Sequence, residues 1–302
     1  MNRTAVGLFR AMPVRAAQHL LFLAQSQHDT LDRWGYHIRP VHYYEPIPDF
    51  RAITSETINR RREYAALDFN WPAQLRLVSV LASYRDELEE LYLEKLFDFD
   101  NGFFAGFDAS IYYALVRQLK PRHVIEVGGG YSTQIAAKAL ARNRFEGSNG
   151  TLKSIESYPE PRLTEAIAQI NLINKPVQDV PLEFFADLEA NDILFIDSSH
   201  TVKFGSDVCY LFLEVLPTLN SGVWIHVHDI FFPNDYPPDW LLEKRLALNE
   251  QYLVEAFLSF NRHFSIRLSN HWLCMDHPET ATLPPAGVDN FRGSSLWFER
   301  IP

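Results

Sequence analysis

The sequence predicts an α/β fold built on a doubly wound, mainly parallel sheet, with a helical extension ahead of it. Three observations carry that prediction. From His123 onward, short β-branched runs alternate with stretches of helical periodicity, the pattern of a parallel sheet covered on both faces. His123-Val-Ile-Glu-Val-Gly-Gly-Gly-Tyr-Ser-Thr133 reads as a buried strand that turns through glycines straight into a helix. Polar residues gather at the ends of later strands, at Asp197 and at His228-Asp229, where ligands sit in open α/β sheets.

Taken in order, residues 1–100 read as the helical extension and 101–302 as the sheet domain. The stretch 6–23 is apolar, but Arg10, Arg15, Gln18 and His19 interrupt it. That leaves it short of the uninterrupted span of about 20 residues a membrane helix needs. It reads as an amphipathic or packing helix. No small-residue cleavage site follows it, so a cytoplasmic protein is expected. Pro40, Pro46 and Pro48 punctuate an aromatic pair, Tyr43-Tyr44, and 71–97 carries Leu75, Leu77, Val78, Leu81, Leu88, Leu91 and Leu96 at mostly helical spacing. A helix over 110–119 ends before Pro121. Strands are expected over 123–127, 151–156, 170–173, 192–197, 222–228, 264–268 and 295–300. Helices are expected over 132–142, 161–169, 181–188, 206–216 and 238–261. Between the last two strands only a Pro-rich loop, 277–293, is foreseen, closing them as a hairpin.

Bulk composition narrows the function. The 302 residues are 47% hydrophobic and 22% charged, enough for one large domain or two modest ones. A net charge of −10 repels phosphate backbones and anionic bilayers, so neither nucleic acid nor membrane is an expected partner. Cys209 and Cys274 have no C-x-x-C spacing and imply neither a disulfide framework nor a zinc site.

The glycine turn is the first site candidate. Gly128 and Gly130 permit positive φ and close backbone approach, and Ser132 or Thr133 can cap the helix, leaving N–H groups aimed at a ligand. Glu126 suits a ligand with an ammonium group and would oppose a pyrophosphate. Glu156 closes the second strand, where a carboxylate can accept both hydroxyls of a ribose, and a surface role is the alternative. Asp179 follows the third strand, where a polar side chain commonly meets an adenine; an ordinary loop aspartate fits equally well.

A second cluster lies at the tips of strands four and five. Asp197-Ser-Ser-His200 ends the fourth, and His226-Val-His228-Asp229 ends the fifth. Asp197, His228 and Asp229 could hold a divalent cation such as Mg²⁺ that orients a hydroxyl. Alternatively the carboxylates organise His200 or His228 as a metal-free general base. A third reading has Asp197 capping a turn and the histidines satisfying local hydrogen bonds. His226 faces away from Asp229 by strand alternation and reads as a packing residue.

Glu126-Val-Gly-Gly-Gly-Tyr-Ser-Thr133, Ser154-Ile-Glu156, Phe195-Ile-Asp-Ser-Ser-His200 and His226-Val-His-Asp-Ile-Phe-Phe-Pro233 together resemble class I S-adenosylmethionine-dependent methyltransferases, in the branch often called methyltransferase family 24. The resemblance covers roughly 107–300. It implies a Rossmann-like seven-stranded sheet with an antiparallel last strand and S-adenosylmethionine as cofactor. It further implies that Glu126 with Gly128, Gly129, Gly130, Tyr131, Ser132 and Thr133 holds the methionine moiety. Glu156 with Ser157 would take the ribose and Gln178 with Asp179 the adenine, with Asp197 and Ser198 beside the cofactor. Related sugar and catechol O-methyltransferases carry metal ligands at the tips of strands four and five, and some place a histidine base where His200 stands. This chain departs at His228, where those relatives have an acidic ligand. The expected activity is O-methylation of a small molecule, a sugar or secondary metabolite, by in-line displacement. His200, Asp197, His228 and Asp229 form the catalytic set. The extension would form an acceptor lid or an oligomer contact. Two other classes fit these residues less well. A nicotinamide-dependent oxidoreductase would want a third glycine where Thr133 stands, and a noncatalytic cofactor-binding protein leaves the strand-tip cluster unexplained.

Overall fold

The computed structural model describes residues 12–159, 170–280, 282–288 and 293–302, and the expected helix 161–169 lies outside them. The chain divides into two compact units, Met1–Thr54 and Ser55–Pro302. The first contains α1 (Val14–Gln25) and α2 (His28–Arg33). Pro13 precedes α1, a position where a missing N–H costs nothing. No described helix is long and apolar enough to cross a membrane.

The second unit is built on a seven-stranded sheet of order β3-β2-β1-β4-β5-β7-β6. Its strands are β1 (His123–Val127), β2 (Thr151–Ile155), β3 (Asn171–Ile173), β4 (Ile193–Ile196), β5 (Trp224–Val227), β6 (Phe264–Ser269) and β7 (Leu296–Arg300). β1 through β5 pair in parallel, and β7 runs antiparallel between β5 and β6. Parallel strands need both faces covered, which is why β4 and β5 are buried at every residue. Alternation then sorts their side chains. Val124, Ile193, Phe195 and Trp297 face one core, and Ile125, Val127, Leu194, Ile196, Ile225 and Val227 face the other.

Before the sheet come α3 (Ser55–Ile58), α4 (Trp71–Leu81), α5 (Arg85–Leu93) and α6 (Gly106–Leu119). Gln74, Val78 and Leu81 recur every three or four residues on α4, and Val78, Leu81, Leu88 and Leu91 join the core that Val124 and Phe195 occupy. Residues 55–100, read from the sequence as part of the extension, are thus packed into the sheet unit. α6 is buried along nearly its whole length.

After β1 come α7 (Tyr131–Phe145), α8 (Glu183–Ala186), α9 (Asp207–Tyr210), a wider turn over Leu211–Val215 and α10 (Leu216–Thr218). Pro217 cannot donate to the carbonyl four residues back, consistent with the widened turn inside the helix expected over 206–216. The helix expected over 238–261 is two, α11 (Pro238–Leu242) and α12 (Glu250–Leu258). Arg245 between them takes φ 53°, a left-handed conformation that a continuous helix excludes. The expected helix-free ending is also corrected. α13 (Asn270–Asp276) springs directly from β6 and buries Trp272, Leu273 and Cys274. Seven residues are too few for periodicity to announce a helix.

Candidate active site

The β1–α7 junction is set by close backbone approach. Gly128 has φ 83°, and a Cβ there would lie 2.2 Å from the carbonyl oxygen of Asp197, so only glycine fits between the tips of β1 and β4. Its N–H donates to Ile155 O at 3.0 Å. The Gly130 N–H donates to Thr133 Oγ1 at 2.9 Å, tying the turn to the first turn of α7. Glu126 lies wholly buried behind this turn. It accepts the Tyr112 hydroxyl proton on Oε1 at 3.0 Å, while Oε2 has no partner. Burial pushes its pKa up to about 8, against the pull of neighbouring hydroxyls.

A cleft of about 510 Å³ opens over the tips of β1, β2 and β4. Among the residues expected to meet a cofactor, Gly128, Glu156, Ser157, Gln178, Asp197 and Ser198 line it. Glu126 stands behind its floor, and Gly129, Gly130, Tyr131, Ser132 and Thr133 are not in its wall. Asp179 is exposed on the short turn Val177–Asp179. The Glu156 carboxylate accepts from the N–H groups of Gly129 at 3.0 Å and Tyr158 at 2.8 Å, which aims it along the cleft.

Beside the cleft the strand tips converge. The imidazole of His200 sits between carboxylates. Its Nδ1 is 2.8 Å from Glu250 Oε2, and its Nε2 is 3.2 Å from Asp197 Oδ1 and 3.4 Å from Asp229 Oδ2. His228 Nδ1 faces the same two aspartates at 3.6 and 3.5 Å. His200 and Asp229 both adopt positive φ, 54° and 57°, the bends that turn these side chains back toward one another. The carboxylates outweigh burial and hold His200 well above the ordinary imidazole range, and His228 is pushed up to about 9. Asp197 is held below the usual carboxylate range despite its burial, by the two imidazoles. Burial raises the pKa of Asp229 and of Glu250. The carboxylates around them thus draw both imidazoles toward their charged form.

A family model described as a methyltransferase domain matches residues 125–230, from β1 to just past Asp229. The chain belongs to the methyltransferase-domain family. An uncharacterized protein of Archaeoglobus fulgidus is 32% identical over 200 residues, covering 62% of this chain and 88% of that protein. Among solved structures, the O-methyltransferase TomG from Streptomyces achromogenes, in complex with SAM, shares 14% identity. That match covers 72% of this chain and 89% of that one at a TM-score of 0.43. The O-methyltransferase from Bacillus cereus in complex with SAH shares 14% identity over 72% of this chain and 91% of its own, at 0.41.

Every residue expected of the methyltransferase site lies inside the matched span, but the assembled site extends beyond it. Glu250, at the start of α12, contributes the carboxylate under His200 and accepts the Ser198 hydroxyl proton at 2.8 Å. The sequence reading missed it because it sat inside an expected continuous helix. The break before α12 places Asn249 N–H and Glu250 N–H on His200 O at 3.1 and 3.2 Å, locking the two loops together. Tyr158 and Lys203 are further cleft residues without a sequence signal.

Among the described residues, no group of three or more His, Cys, Asp or Glu side chains is arranged to hold a metal ion. The set Asp197, His228 and Asp229 is engaged otherwise. Its carboxylates lie against the His200 and His228 rings instead.

Proposed function

We propose that this methyltransferase moves the methyl group of S-adenosylmethionine onto a hydroxyl of a small molecule, a sugar or secondary metabolite. One observation carries the reading: a cleft with a carboxylate aimed along it, Glu156, runs into a buried cluster of three carboxylates and two imidazoles. The residues present fit the cofactor. Glu126, a neutral carboxyl behind the turn with no partner on Oε2, would be drawn into its charged form by an ammonium group brought against the turn. Glu156 suits a ribose, and Val177 and Gln178 supply a wall for the base. Bound there, S-adenosylmethionine would supply an electrophilic methyl group on a sulfonium.

The protein's own part is to orient the acceptor oxygen and take its proton. With both imidazoles already charged, the proton passes to Asp229, whose raised pKa makes it the better base of the two strand-tip aspartates. His200 and His228, drawn toward their charged form, balance the carboxylates.

Calorimetry with S-adenosylhomocysteine tests the cofactor assignment. Glu156→Ala is expected to weaken binding by about tenfold, a loss of about 1.4 kcal/mol. Unchanged affinity removes the ribose role. Chelator treatment is expected to leave methyl transfer unaffected; loss of rate restored by Mg²⁺ would overturn the metal-free proton step.

A further inference from the structure

Among the described residues of the first unit, 12–54, none is buried, although α1 and α2 both lie there. A helix as short as α1 is marginal in water unless one of its faces packs against something. On α1 the apolar side chains are bare. Val14, Leu20, Leu21, Phe22 and Leu23 are all exposed, Phe22 at 67%. A contiguous apolar run of this kind marks an interaction surface rather than a solvated helix.

Charge indicates what covers it. Within the unit Arg39 pairs with Glu45, Arg51 with Asp49, and His37 with Asp32. Arg33 donates to the Asp29 carbonyl oxygen at 3.0 Å. Arg15, in the first turn of α1, and the Asp29 carboxylate, in the first turn of α2, are exposed and have no ion pair among the described residues. They flank the apolar run 20–23 with opposite signs. An antiparallel helix of the same sequence meets each sign with its opposite and lays the apolar run against its own copy, the self-complementarity that a two-fold axis demands. α1 has no basic residue in its last turn, so the same arrangement brings Arg15 to the negative end of the other helix.

We propose that α1 is a self-association surface: two copies of this chain pair antiparallel through Leu20, Leu21, Phe22 and Leu23, with Arg15 of each copy facing Asp29 of the other. A bilayer fits this face less well. Helices that lie in a membrane interface are rich in Lys and Arg on their polar side, whereas α1 carries Arg15 alone, on a chain of net charge −10. The pairing is separate from the proposed methyl transfer and stands or falls without it.

Sedimentation velocity of the full chain across the micromolar range tests it. The wild type is expected to run as a dimer, and Phe22→Asp as a monomer with an unchanged circular dichroism spectrum. Arg15→Glu and Asp29→Arg are each expected to weaken association by about tenfold, since like charges then meet across the axis. The double variant carrying both should recover the wild-type affinity, an outcome that a merely structural role for either residue does not give. A monomeric wild type would overturn the proposal, and so would a dimer that Phe22→Asp leaves intact or a double variant as weak as the single ones. Binding of a monomeric wild type to phosphatidylcholine vesicles, lost in Phe22→Asp, would overturn it in favour of a lipid surface.

Discussion

At the scale of single residues, Glu126 and Asp229 show how burial sets chemistry. Glu126 has a folded pKa of about 8, above its ordinary value of 4.5, so the folded state binds the proton more tightly than the unfolded chain. Stability tied to it is full below the unfolded value and is lost as pH rises toward about 8. Glu126→Gln is therefore expected to raise the melting temperature at pH 8 and to leave it unchanged at pH 4, read by calorimetry; equal effects at both would sink the assignment. Asp229 carries a second expectation. As proton acceptor it should give a rate that falls in acid as it becomes protonated, and falls again above about pH 9 as His228 loses its charge. Asp229→Asn should cost about 10²-fold or more in kcat. A rate that keeps climbing through pH 9 would instead make an imidazole the base.

Elements hold these side chains in place through tight approaches rather than through propensity. The Gly128 turn is one. Gly128→Ala forces a methyl against Asp197 O, and with the positive φ the strain falls on the two strand tips that carry the site. Loss of several degrees of melting temperature together with loss of cofactor binding is expected, and normal binding would show that the turn can give way. The start of α12 is another. A helix running unbroken from 238 would not bring Glu250 and Asn249 onto His200 in the observed way; the left-handed bend at Arg245 ends one helix so that another can begin there. Removing one partner of a buried ion pair such as His200 and Glu250 costs about 3–5 kcal/mol, more than a helix gains by continuing for two turns.

For the whole molecule, the core divides by sheet face. Phe195 lies 3.8 Å from the His226 ring and 4.6 Å from Tyr112, stacked on both, which couples β4, β5 and α6 directly beneath the site. The unit Ser55–Pro302 has its own core on both sides of the sheet, and a chain beginning at Ser55 is expected to unfold in a single transition. Retained S-adenosylhomocysteine binding with lost methyl transfer would assign the residues before it an acceptor role, and failure to fold would show that the unit depends on them.

What the sequence determined by itself was periodic or local. Alternating strand and helix patterns specify the parallel sheet, because both faces of such strands must be apolar. The acid-glycine turn and the polar strand ends place a site at one edge, since glycine and carboxylate act there through their immediate neighbours. Tertiary structure alone decided the rest. Glu250, Asp108 and Ser294 reach His200 and His228 from remote parts of the chain, through contacts no spacing encodes. The charge on the two imidazoles was likewise invisible, because a pKa depends on which carboxylates lie within a few ångströms and on how much water is excluded, and both are properties of the packed chain.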